Sequence, residues 1–293
     1  MTTTTTPLTL TAAGKRAATR NGLRRGLIEF RHQWTNRDDV LGQVIWLVLI
    51  LVTLFFLRGI HLPGTSFSLG AATVPSVLGA GLVFNGLSGA AGQLVIDRED
   101  GTLLRTKATP NGMLGYLIGK ITSLSLMQVS AMLVTLVPCL ILFPGLASDS
   151  VWSWLNLLWV LALGLVATLP LGAAIGSLIR DPRSMALVML PVTGLAAISG
   201  IFYPITALPV WVQDIAQVFP MYWLGLGMRS ALLPDSAVVV EISQSWRPWW
   251  TLGVLAVWAV IGLALAPVLL RRMARRESGS SVAERRERAL QRV

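Results

Sequence analysis

The stretch Asp97–Pro110, DREDGTLLRTKATP, decides how the chain is read. Charge is concentrated in it, between an apolar run at Phe67–Ile96 and another at Met113–Phe143. A connection this short has no room for a core of its own. It reads as a knuckle joining two membrane-spanning helices, with Gly101 permitting a sharp turn and Pro110 and Gly112 ending the loop before the next helix.

Composition supports that reading. Only 13% of the 293 residues are charged and 54% are hydrophobic, whereas a soluble domain carries about 25% charge. The net charge of +10 sits at the two ends and in short loops, a pattern of membrane orientation and not of a phosphate-binding face, so no nucleic-acid partner is expected. The one cysteine, Cys139, lies in an apolar run, excludes an intrachain disulfide and reads as a small buried hydrophobe.

Outward from the knuckle, the expected fold is an all-α membrane protein. Residues 1–14 are Thr-rich and read as a disordered tail. Residues 15–37 interleave arginines with Leu23, Leu27, Phe30 and Trp34 at helical spacing, which predicts an amphipathic helix on the membrane surface. Asp38 and Asp39 suit the start of a first span at 40–57. Further spans are expected at 67–96, 113–143, 152–179, 184–201 and 249–270, within a transmembrane domain covering 38–272, and residues 273–293 form a basic tail. The Pro- and aromatic-rich stretch Phe202–Pro248 predicts short interfacial or re-entrant helices before the last span. Small residues on the second span and at Gly172 and Gly176 predict close helix packing, within or between subunits.

Of the 24 Lys and Arg, all but Arg58, Lys120, Arg229 and Arg247 fall on one side if six spans leave both termini in the cytoplasm. That bias sets the expected topology, in a plasma or inner membrane. Lys120 is expected low in the third span, and Arg229 reads as an arginine reaching to headgroups.

Two stretches on this frame carry a family likeness: Arg98–Leu103 closed by Ala108–Pro110, and Ser199–Pro204 followed by Leu208–Pro209, Trp211 and Phe219–Pro220. With the basic N-terminal helix and six spans, the chain resembles the ABC-2 type transporter permeases, the membrane subunits of ATP-driven exporters. Within them it is similar to the daunorubicin-resistance group. The resemblance implies that Asp97, Arg98, Glu99, Asp100, Gly101, Thr102, Leu103, Thr109 and Pro110 form a coupling element seated on a separate ATPase subunit. It further implies ATP and Mg²⁺ held by that subunit, and a second permease, identical or related, completing the pore. Leu104 departs from the pattern, standing where the family usually has a second acidic residue.

The chain itself carries no G-x-x-x-x-G-K-[ST] loop, and its two histidines, His32 and His61, lie outside the apolar runs, so it is not expected to be an enzyme or to bind a cofactor or metal. The near absence of intramembrane ionisable groups argues against an ion-driven carrier and for an amphipathic or apolar cargo such as a drug or antibiotic. Candidate path residues are Asn85, Gln128 and Thr135, with Phe202, Tyr203 and Met221 toward the outside; for the polar three, helix–helix hydrogen bonding is an equal alternative. Export of lipid or cell-wall polysaccharide, or a non-transport scaffold role, are the competing functions.

Overall fold

A computed structural model describes residues 12–60, 68–109, 111–146, 150–179, 184–201 and 203–276. The expectations for the N-terminal tail before residue 12, the Arg180–Arg183 turn, Pro110, Phe202 and the tail beyond residue 276 lie outside them. The described residues form helices and turns and no strand.

The N-terminal helix α1 spans Ala12–Thr35, starting three residues earlier than expected. Asn36 separates it from α2, Arg37–Leu57, and caps that helix by accepting from the Asp38 amide. The second expected span is a rod from Leu69 to Glu99 in three parts: α3 (Leu69–Phe84), a π-helical turn (Asn85–Gly89) and α4 (Ala90–Glu99). Its 31 residues reach about 46 Å, longer than a bilayer core requires. A six-residue helix α5 (Thr102–Lys107) leads to α6 (Gly112–Leu142) and then α7 (Val151–Leu178).

Five helices among the described residues are long and apolar enough to cross a membrane. The remaining expected span appears as α8, Met185–Ile198, only 14 residues and about 21 Å long. Gly200, at φ 70°, and Pro204 end it early. After α8 come a 3₁₀ turn (Ile205–Ala207), α9 (Val210–Val218), α10 (Pro220–Leu232), two more 3₁₀ turns, and α11 (Pro248–Arg276).

The broken stretch before the last span supplies the centre of the core. Tyr222, Leu224, Leu226 and Met228 of α10 are fully buried, against α3, α7 and α11. Glycines make the approach possible: a Cβ on Gly79 would lie 3.0 Å from the Gly225 Cα, and one on Gly227 would lie 2.9 Å from Val160. A second apolar cluster closes the end of the bundle that follows the knuckle, where Leu94, Leu103, Tyr116, Leu270 and Met273 meet. Gly172 and Gly176 pack inside the subunit: a Cβ on Gly172 would sit 2.2 Å from the Gly86 carbonyl oxygen, and one on Gly176 would sit 2.7 Å from the Ala91 Cα. By contrast α2 buries almost none of its surface, and Trp46, Phe55 and Phe56 are exposed.

Candidate coupling element and transport pocket

At the knuckle, α4 runs to Glu99 and the chain turns at Gly101, which adopts φ 70°. A side chain there would be strained, and the glycine is also buried. Gly101 itself is the N-terminal cap of α5, and no side chain bonds its free amides. The threonines bond to carbonyls within the loop: Thr106 Oγ1 donates to Thr102 O at 2.7 Å and Thr109 Oγ1 to Thr106 O at 2.8 Å. Asn111 takes φ 56°, and a Cβ on Gly112 would fall 2.1 Å from Thr106 O, so the exit from the loop requires glycine.

One side chain roots α5. Leu103 is 3% exposed and packs into the second apolar cluster with Leu270 and Met273 of α11. Arg105, Lys107, Ala108 and Thr109 lie on the exposed side, with Asp100 beside them. Of the acidic residues expected to meet a partner, Asp97 instead faces inward. Its Oδ2 accepts from the Tyr116 hydroxyl at 2.7 Å and lies 2.9 Å from Lys120 Nζ. Arg98 Nη1 donates to the Ile179 carbonyl at 2.6 Å, joining the end of α4 to the end of α7. Glu99 is half-buried.

Lys120 is where the sequence places it, low on α6, but it is shared. Its Nζ also lies 3.3 Å from Glu29 Oε2 on α1, and Glu29 Oε1 pairs with Arg25 Nε at 2.8 Å. The Arg25 guanidinium lies 5.4 Å from the centre of the Tyr116 ring. Two carboxylates and two cations thus balance around one phenol. Lys120 and Asp97 are 14% and 13% exposed, so their attraction is screened less than that of a surface pair. The same helices interlock beneath: a Cβ on Gly26 would sit 2.5 Å from Gly119 O, and one on Gly22 would sit 2.6 Å from Gly115 O. α1 therefore docks on α6 through two G-x-x-x-G faces, while its Leu23 and Leu27 stripe stays exposed on another side. That spacing stands in the sequence at Gly22/Gly26 and Gly115/Gly119; the apolar stripe drew the reading away from it.

Further along the bundle, α2, α3 and α6 line an open cavity of about 580 Å³. Asn85, Gln128 and Thr135 all line it, together with Trp46, Met132 and Met189. Among the described residues, no ionisable side chain does. Gln128 Nε2 donates to Leu82 O at 3.1 Å, in the turn just before the π segment, and Thr135 Oγ1 donates to Ala131 O of its own helix. Asn85, at the start of the π turn, is exposed. Met221 sits elsewhere: it is 1% exposed, a core side chain of α10. Tyr203 lies at a separate cavity of about 40 Å³ beside Arg229, its hydroxyl bonded to Ala197 O.

Arg229 does not reach to headgroups. It is buried, and its Nε lies 2.6 Å from Glu241 Oε1 and its Nη2 3.3 Å from Oε2, a bidentate pair. Nη1 donates to Ser76 Oγ at 3.0 Å. A buried guanidinium must be paired, and Glu241 is the one carboxylate in reach; sequence distance alone did not connect them. Nearby, Arg247 bonds Gln217 Oε1 and the Tyr222 hydroxyl and lies 4.9 Å from the centre of the Trp223 ring. Burial, with the charge of Glu241 behind it, raises the Tyr222 phenol above its ordinary value, so it meets Arg247 as a neutral acceptor.

Long apolar helices and glycine-mediated packing define a multi-pass membrane protein. Residues 55–267 match the model of the ABC-2 family transporter protein, and the chain belongs to that family. It is an ABC permease subunit, a membrane pore component. No curated protein matches it.

Proposed function

We propose that the chain is the export permease of an ABC system, with six spans, both termini in the cytoplasm of a plasma or inner membrane, and ATP and Mg²⁺ held by a partner ATPase subunit. Two permeases, identical or related, complete the pore. The observation that carries this reading is the seating of α5: one face is rooted by Leu103 against the last span and the other is exposed. A push on that exposed face passes to α6 and α11 through Leu103 and to α1 through Asp97 and Lys120. Asp97 and Leu103 transmit the movement, while Glu99, Asp100, Thr102 and Thr109 meet the partner, Arg98 ties the loop to α7, and Gly101 with Pro110 shapes it.

The cargo is an uncharged amphipathic small molecule, such as a drug or antibiotic. A cavity of about 580 Å³ lies in the size range of small-molecule sites, and its walls give a charged group no counter-ion. Asn85 and Gln128 offer the polar contacts, with Thr135 beside them, and Tyr203 lies further along the outward route.

The test is co-purification with an ABC ATPase subunit, followed by vanadate-sensitive ATP hydrolysis and transport in proteoliposomes. Cargo-stimulated hydrolysis is expected, and a Glu99→Ala, Gly101→Val double variant inserts normally but loses the stimulation. Full transport by that variant, or transport by the purified permease alone, overturns the reading.

A further inference from the structure

The linker between α10 and α11 is bent in an unusual way. Ser243, Gln244 and Arg247 have φ of 60°, 47° and 45°, all in the left-handed region that non-glycine residues disfavour. Three such residues within five positions persist only where contacts at the ends hold the backbone. Both ends are held, and both by α10. At one end Glu241 makes the bidentate pair with Arg229, whose Nη1 also bonds Ser76 Oγ of α3 and the Gly200 carbonyl. At the other end Arg247 bonds Tyr222 and Gln217 and lies over Trp223. Between the pins Ser243, Gln244 and Ser245 are exposed, while Ile242 and Trp246 rest against the core and Trp246 Nε1 also donates to Asp235 Oδ1 at 3.1 Å. Beneath the Glu241 end lies the small cavity lined by Ser76, Tyr203 and Arg229.

We propose that residues 241–247 are a sprung strap over one end of α10. Arg229 and Arg247 are its positioning residues, and the left-handed backbone between them favours release. Lifting the strap uncovers Ser76 and the Arg229 guanidinium, and frees α10 to shift against α3. The strap stands on these contacts and not on which side of the membrane it faces.

The test uses the full chain in lipid nanodiscs, where a water-soluble maleimide reaches both faces. Ser76→Cys is placed in a Cys139→Ala background, which removes the one native thiol. In this parent Ser76→Cys reacts far more slowly than an exposed Ser243→Cys. Glu241→Gln and Arg247→Gln each release a different pin, and each raises the Ser76→Cys rate by about tenfold or more, because labelling follows the open fraction. Ser243→Gly with Gln244→Gly relieves the bend and slows the labelling. The strap is overturned if both pin variants react no faster than the parent, or if the glycine pair fails to slow the reaction. Should Glu241→Gln leave Arg229 too exposed to fold, Arg247→Gln with the glycine pair decides alone.

Discussion

Gly26 and Gly119 meet with no side chain between them: a Cβ added to Gly26 would lie 2.5 Å from the Gly119 carbonyl oxygen. The N-terminal helix is therefore mounted on the third span and is not a free surface helix. Gly26→Val forces the two apart at a cost of about 1–3 kcal/mol, the range for overpacking. A lowered thermal midpoint in detergent, with new protease cleavage in α1, is the expected result. Gly42→Ala, with nothing within 4 Å of its Cβ, leaves both unchanged.

Lys120→Met removes the shared cation, leaving Glu29 with Arg25 alone and Asp97 with only the Tyr116 hydroxyl. Removing one partner of a buried pair costs about 3–5 kcal/mol, and the partial exposure here brings the expectation nearer 2. A double-mutant cycle of Asp97→Asn with Lys120→Met, read by thermal unfolding, should show coupling of at least about 0.5 kcal/mol. Additivity would mean that the two do not act as a pair. Cargo-stimulated hydrolysis by the ATPase partner should fall in Lys120→Met along with stability.

Gln128 and Thr135 line the same cavity but differ in what their loss does. Gln128→Leu removes the donor to Leu82 O and makes the wall wholly apolar there, at about 1 kcal/mol in stability. It should raise KM for a polar-headed cargo more than for an apolar one. Thr135→Val removes a hydroxyl that bonds only its own helix, and should leave both parameters nearly unchanged.

Gly172 tolerates nothing larger. Its added Cβ would meet backbone oxygens of Gly86 and Leu87 at 2.2 and 2.7 Å, and backbone cannot move aside as a side-chain tip can. Gly172→Ala should abolish accumulation of folded protein, measured by size-exclusion of the detergent extract. Gly194→Ala, in open space on α8, should not.

The long apolar runs, the knuckle and the grouping of Asn85, Gln128 and Thr135 were legible because helical periodicity and hydropathy act locally. Residues 43 and 50 apart in sequence reached one cavity wall through simple helix pairing: Asn85 with Gln128, and Asn85 with Thr135 two turns on. What stayed hidden depends on partners that periodicity does not name. Arg229 looked like a headgroup contact because nothing local pairs it with Glu241. Met221 was grouped with the path residues toward the outside, yet α10 turns it into the core. Asp97 was grouped with the outward-facing acids, and only the position of Tyr116 and Lys120 one helix later shows that it turns inward. The brevity of α8 follows from where Gly200 breaks it, a backbone choice that hydropathy averages over.

The π turn at Asn85–Gly89 has a consequence for how the second span is phased. A π turn accommodates one extra residue, and at 3.6 residues per turn that residue rotates everything downstream by about 100°. Deleting a single residue there would restore a plain α-helix and swing Asp97 a quarter-turn away from Tyr116 and Lys120. One surplus residue near the middle of the rod thus sets the azimuth at which its far tip engages its neighbours.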